Sequence, residues 1–439
     1  MTAKRVAIVS SGILSPLNSA LEFAKRIKAL GYEVSIFAPA SAHDLIEHYG
    51  FAHHAIPNPR VNAFDALISK EDRRSLQRDG WMDAAIKAFG VDEFAGALLK
   101  TQPDIVFIDC EMHAQIIVAM SLNIPVVQYS NMFLSPPGTQ APPLNKRAFP
   151  GRGLRGSRPG IALLWCRFLL WKLSKILRKR LSEGRVDYAS TLIELARRHD
   201  VPLFRMVRLV CWQMPWTYRL PTLLLLPRAL DLPTPSRADL TYLGPTILQD
   251  RPDHPHDQEK IAQFCEASTW EKRIFVGFGT IMKLDSGLLP NLWAVATNHP
   301  DLRFLFAAGQ NWDGMAETQL PANVDVVAWA PQQHVLKHAD LAIMHGGTGG
   351  LVEAVDAGTP MLLYPHVNDQ HGSAARVVFH EIGRAGDRND PVEKIENDIR
   401  SLLSSGKVRQ NCIQMQALCR GEHSAGDLAG YLRELMSRD

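Results

Sequence analysis

The chain has 439 residues, 46% of them hydrophobic and 21% charged, with a formal net charge of +3. That length exceeds what one core usually organises, so two domains are expected. The composition is that of an ordinary soluble globular protein, and no run reaches the ~18 uninterrupted apolar residues that a bilayer span needs. The N-terminus, MTAKRVAIVSSG, lacks a long apolar core and is read as a first strand rather than a signal peptide. Six cysteines (Cys110, Cys166, Cys211, Cys265, Cys412 and Cys419) are scattered without CxxC pairs or metal-ligand spacing. They are read as free thiols in a reducing compartment, so a cytoplasmic location is expected.

RVAIVSSG, PLNSALEFAKRIKALG and YEVSIFAP are an apolar run, a helical pattern and a second apolar run. Leu17, Leu21, Ala24 and Ile27 share one helical face, and Gly31 stands where the helix stops. This is a βαβ start to a parallel sheet. The rhythm returns with Ile105 to Ile108 and Val126 to Tyr129 as strands, and the first half closes near LTYLGPTI, Leu240 to Ile247.

Charge is concentrated between these points. Lys146 to Arg185 holds twelve Lys or Arg and one acid, Glu183, a net +11 against −8 for the remainder. Within it, Ile161 to Leu181 mixes Trp165, Phe168 and Trp171 with Leu and Ile, and ends in Lys and Arg. As a helix it is basic and amphipathic. Two arrangements suit it: an apolar face lining a pocket with the basic face in solvent, or a helix lying in a membrane interface. No recognition motif accompanies the charge, so nucleic acid is not expected as a partner.

ILQDRPDHPHDQ reads as a linker, after which the βα rhythm restarts at RIFVGFGT, LRFLFAAG, VDVVAWAP, ADLAIMHGG and MLLYPH. Two doubly wound domains in series follow, with a cleft between their strand C-termini. Leu428, Tyr431, Leu432 and Leu435 then recur at helical spacing. The expected division is residues 1–245, residues 246–420, and a helix in 421–439 that crosses back to the first domain.

The run VVAWAPQQHVLKHADLAIMHGGTGGLVEAVDAGTPMLLYPHVNDQ gathers the parts needed to hold a nucleoside diphosphate sugar. A flat ring, Trp329, can stack on a base. The turn after His345, with Gly346, Gly347, Thr348, Gly349 and Gly350, can bring backbone N–H groups and a helix N-terminus to a diphosphate. Glu353 can grip ribose hydroxyls, and Asp369 with Gln370 can grip a sugar.

This run resembles the signature of the UDP-glycosyltransferase family, which has the GT-B fold of two Rossmann-like domains facing each other across a cleft. The resemblance implies that Trp329 stacks on uracil, Gln332 bonds the nucleoside and His345 donates to the diphosphate. It implies also that Thr280 stands near the phosphates and Gly12 faces the donor from the first domain. The upstream APPLNKRAFPGRG resembles the branch that includes zeaxanthin glucosyltransferases. The implied activity is metal-independent, inverting transfer of a sugar, glucose or a relative, to a hydrophobic acceptor, with the UDP-sugar as co-substrate and no cofactor.

One departure stands out. The family places Gly-His-x-x-Pro after the first strand, the His being the general base. Here Gly12 and Pro16 are in register, but Ile13 occupies the His position. General-base catalysis contributes ~10²- to 10⁴-fold, so the change is large. Asp109 is the expected substitute, with Glu111 and His113 as neighbouring alternatives. An acceptor that is already acidic would need little help, and a donor-binding protein without transfer activity would need no such base; a UDP-sugar epimerase on the same fold is a further alternative.

Overall fold

The computed structural model describes residues 4–63, 65–78, 80–252, 258–266, 270–278, 287–309, 320–425 and 427–437, the side chains of 70, 72 and 423–425 excepted. Two parallel sheets, each flanked by helices, form its two halves. The first is built from β1 (Arg5–Val9), β2 (Glu33–Ala38), β3 (Ala52–Ala55), β4 (Ile105–Asp109) and β5 (Val126–Ser130). A short antiparallel pair, β6 (Val207–Arg208) and β7 (Thr217–Tyr218), precedes β8 (Thr222–Leu224) and β9 (Leu240–Tyr242). The strand order is β3-β2-β1-β4-β5-β8-β9. The second sheet holds β10 (Lys272–Gly277), β11 (Leu302–Ala307), β12 (Val324–Val327), β13 (Leu341–Met344), β14 (Met361–Leu363) and β15 (Gly383–Ala385), in the order β12-β11-β10-β13-β14-β15.

The local reasons are plain in the sequence. Strands such as RVAIV and LAIM are continuous apolar runs because helices cover both faces of a parallel sheet. Between β1 and β2 the helix Leu14–Ala29 buries Leu17, Leu21, Ala24 and Ile27 on one stripe. In each sheet the chain reverses direction beside the first strand, between β1 and β4 and between β10 and β13. Such switch points leave a crevice at the strand C-termini. Both crevices open onto one cavity of about 700 Å³.

A seam holds the halves together. Phe133, Leu144, Leu226 and Leu230 belong to the first half by sequence but pack into the core of the second. The Gly372 N–H donates to the Leu144 carbonyl at 2.8 Å. Arg376, 1% exposed, donates from Nε (3.0 Å) and Nη2 (2.5 Å) to Asp231, and its Nη1 donates to the Gly372 carbonyl at 2.9 Å. The guanidinium also stands 3.9 Å over the Phe133 ring. The terminal helix Leu428–Met436 packs Leu428 and Leu432 into a cluster with Val6, Ile8 and Val34.

The basic segment forms a helix, Arg158–Ser182, capped by the Ser157 hydroxyl, which accepts from the Gly160 N–H at 3.2 Å. Its inner face is Ile161, Trp165, Phe168 and Lys172. Buried Lys172 is satisfied by the carbonyls of Leu209 (3.1 Å), Cys211 (3.0 Å) and Gln213 (2.6 Å), and burial pulls its pKa down. The outer face carries Leu163, Leu170, Leu177 and Leu181, between 54% and 74% exposed. Leucines, and not only cations, face outward, and beside the carbonyls that bind Lys172 the loop exposes Leu209 and Val210 as well. Among the described residues, no helix is long and apolar enough to cross a membrane.

Candidate active site

The cavity is walled by both halves. From the first come Ile13, Leu14, Ser15 and Asn18, at the start of the helix Leu14–Ala29. From the second come Trp329, Gln332, His345, Gly347, Gly349, Gly350, Glu353 and Gln370. Eight residues expected to hold a donor therefore share one wall. The turn that aims them needs glycine. Gly346 has φ +86°, a left-handed conformation that side chains disfavour. A methyl on Gly349 would stand 2.7 Å from the Ser15 hydroxyl, so the helices beginning at Leu14 and Thr348 approach end to end. Neither has an acid in its first turn or a side-chain cap, and both begin among residues that line the cavity, where their positive dipole ends favour an anion.

The polar groups on this wall are engaged with one another. Glu353, 6% exposed, accepts from Gln332 Nε2 at 2.7 Å and pairs with Arg251. Thr348 donates to Asp369 at 2.6 Å. The Gln370 side-chain oxygen accepts from the N–H groups of His366 (2.7 Å) and Val367 (3.0 Å). These contacts fix the side chains in place on the wall. His345 closes β13 with its ring against the main chain of Gly277 and Gly347. Burial is the largest influence on it and lowers its pKa to about 4. It is therefore a neutral imidazole at ordinary pH.

The other expected residues fall elsewhere. Thr280 lies outside the described residues. Gly12, expected beside the donor, sits in a turn with φ +78° pressed on Pro39 and does not line the cavity; Ile13, 44% exposed, lines it instead. His113 is corrected as a candidate base. It is 1% exposed among Tyr188, Trp216 and Tyr218, its Nε2 lies 3.1 Å from the Met214 carbonyl, and burial lowers its pKa to about 4. It is a core histidine.

Asp109, 4% exposed, ends β4 and accepts from the Glu111 N–H at 3.0 Å. Burial pushes its carboxyl up. Burial first, and then the charges of Asp109 and Asp369, push Glu111 up to about 8. The influence of Asp369 shows that the fold holds a first-half carboxyl within electrostatic reach of a second-half one. None of the three lines the main cavity, but Asp369 lies between Asn368 and Gln370, which do.

Two features escaped the sequence reading. Arg251 lies in the stretch read as a linker, yet it reaches Glu353 on the donor wall; nothing in its local pattern signals this. The cysteines were read as lacking metal spacing, but Cys265 meets His334 and His338, all three ligand atoms lying within 4.8 Å of one another. The available signal was the His-x-x-x-His spacing on one helical face.

Comparison with known proteins agrees with this layout. Residues 222–421 match the family described as UDP-glucoronosyl and UDP-glucosyl transferase. A zeaxanthin glucosyltransferase of Pantoea ananas is 30% identical over 37% of this chain, a match that spans only 38% of that relative's length. An oleandomycin glycosyltransferase of Streptomyces antibioticus is 23% identical over 85% of this chain and 77% of its own. The crystal structure of a kitacinnamycin glycotransferase superposes with a TM-score of 0.67 at 20% identity, covering 99% of this chain and 100% of that one. The chain thus has a GT-B fold from end to end, and its residues 222–421 carry a sequence pattern similar to that of the UDP-glycosyltransferase family.

Proposed function

We propose that this protein transfers a hexose, glucose or a relative, from a UDP-sugar to a hydrophobic small molecule, with inversion at the anomeric carbon. Residues 1–245 form the acceptor half, 246–420 the donor half, and 421–439 the helix returning to the first. The observation that carries the reading is the donor wall. Trp329, Gln332 and Glu353 stand where they can take a base and ribose, beside a glycine-rich helix start where a diphosphate can rest. His345 and the backbone N–H groups after it stabilise the charge that develops on departing UDP. Gln370, which lines the cavity, holds the sugar, with Asp369 bonded to Thr348 behind it.

The base is the open chemical question, since Ile13 cannot take a proton. Glu111 suits the role better than Asp109. It is less buried, it lies within electrostatic reach of Asp369 in the second half, and its raised pKa makes it a stronger base once ionised. Asp109 holds the Glu111 backbone and acts as a positioning residue.

The acceptor half carries apolar Ile13 and Leu14 on the cavity and an exposed leucine face on its basic helix. An anionic bilayer surface suits that face: leucines enter the interface while Arg167, Arg178 and Arg180 meet headgroups. A lipophilic acceptor taken from a membrane is consistent with both.

Incubation with UDP-glucose and a panel of hydrophobic phenols and alcohols tests the assignment. The expected result is UDP release that depends on the acceptor, with a glycoside of inverted configuration. UDP-sugar binding without product for every acceptor marks a donor-binding protein, and a donor altered with no acceptor present marks an epimerase.

A further inference from the structure

We propose that Cys265, His334 and His338 form a three-ligand zinc site that braces the rim of the nucleotide pocket. His334 and His338 lie four residues apart on the helix Gln332–His338, so both rings project from one face, with centroids 4.9 Å apart. Cys265 ends the helix Gln258–Cys265. The two helices are fixed against each other by Ile261, Phe264, Val335 and Leu336, which share one buried cluster. The donor atoms of all three side chains lie within 4.8 Å of one another, a separation that small rotamer adjustments close onto a single ion.

The donor set selects the metal. One thiolate with two imidazoles suits zinc, which binds Cys sulfur at about 2.3 Å and His nitrogen at about 2.0 Å in a tetrahedral site. Three protein ligands leave the fourth position for water, and exposed His334 gives access to it. Cys265 and His338 each close a helix, where the negative ends of the dipoles favour a cation. Arg273 and Lys337 stand nearby and oppose it, so the thiolate's charge is needed to offset them. On binding, the S–H bond of Cys265 breaks, the S–Zn bond forms, and the proton passes to solvent.

The position gives the site a consequence. The same short helix begins with Gln332, and His334 and Lys337 line the cavity with Trp329. A metal there ties this helix to its neighbour and stiffens the loop on which a base would stack. This bracing role rests on the nucleotide reading above; the metal site itself does not.

Cobalt(II) separates the two. Titrating the whole protein, freed of metal and without nucleotide, should give one equivalent of binding, with tetrahedral d–d bands and a near-ultraviolet thiolate-to-cobalt band. Cys265→Ser should abolish that band while leaving the circular dichroism spectrum unchanged, and His338→Ala should weaken binding at least tenfold. A band that survives Cys265→Ser, or no stoichiometric binding, overturns the site. Zinc should then tighten UDP binding severalfold in the wild type and not in Cys265→Ser. Equal UDP affinity with and without zinc overturns the brace, and no UDP binding at all overturns the nucleotide reading, leaving the cobalt result standing.

Discussion

The two walls of the cleft are built on different principles. On the second-half wall the polar side chains are pre-arranged by contacts among themselves: Arg251 and Gln332 on Glu353, Thr348 on Asp369, and the His366 and Val367 backbone on Gln370. On the first-half wall apolar Ile13 and Leu14 stand beside Ser15, Asn18 and Asn131, and the carboxyls of Asp109 and Glu111 stand behind it at raised pKa. A wall that must recognise one fixed polar group gains from preorganised donors and acceptors. A wall that mixes apolar and polar groups suits a ligand of mixed character, because each polar group left unpaired would cost desolvation.

Removing Glu111 should break the contrast most severely. If the first wall supplies its chemistry through this carboxyl, Glu111→Gln should lower kcat by ~10²- to 10⁴-fold. In the wild type the rate should rise with pH as the carboxyl ionises toward about 8. Stability supplies a second readout. A folded-state pKa above the ordinary glutamate value favours the protonated native form, so this contribution is complete at low pH and is lost as pH climbs through about 8. Glu111→Gln should therefore be more stable than the wild type at alkaline pH and not at pH 4, as denaturant midpoints would record. A slow variant with an unchanged pH profile would instead assign Glu111 a structural part.

The seam comes next. Arg376→Leu leaves Asp231 buried with only the Tyr242 hydroxyl (2.6 Å) among its side-chain partners here, a loss of about 3–5 kcal/mol in chemical denaturation. Because Arg376 shares a helix with Gln370, the donor wall should also loosen, seen as weaker UDP binding before global unfolding. If His345 donates to the leaving group as proposed, His345→Ala should cost ~10²- to 10³-fold in kcat, with a smaller change in KM for the UDP-sugar. Smallest is the outward face of the basic helix. Neutralising Arg178 or Arg180 should weaken flotation with anionic vesicles by about 1 kcal/mol per charge, and neutral vesicles should not respond.

The legible parts of this protein are those with local causes. Continuous apolar strands, the helix stripe of Leu17, Leu21, Ala24 and Ile27, and the glycine-rich turn after His345 each follow from neighbours within a few positions. Contacts between distant segments are not written that way. Arg251 looks like a linker residue, Arg376 like an ordinary helical cation, and Cys265 like a stray thiol, until the fold brings Glu353, Asp231 and His338 to them. His113 shows the reverse error: proximity to Asp109 in sequence suggested proximity in chemistry, but the first turn of a helix after a strand points its ring inward under Trp216 and Tyr218. The leucine face of Arg158–Ser182 was undecided in sequence because both faces of that helix carry large apolar side chains.

The Arg376–Asp231 pair also limits how the cleft can work. A cation riveted beneath an aromatic ring, tied at once to a carboxylate of one lobe and a carbonyl of the other, does not slide. Substrate admission by wide separation of the lobes would tear that rivet out. A pivot about the pair keeps these contacts, so the two lobes can change their angle at less cost than they can part at this edge.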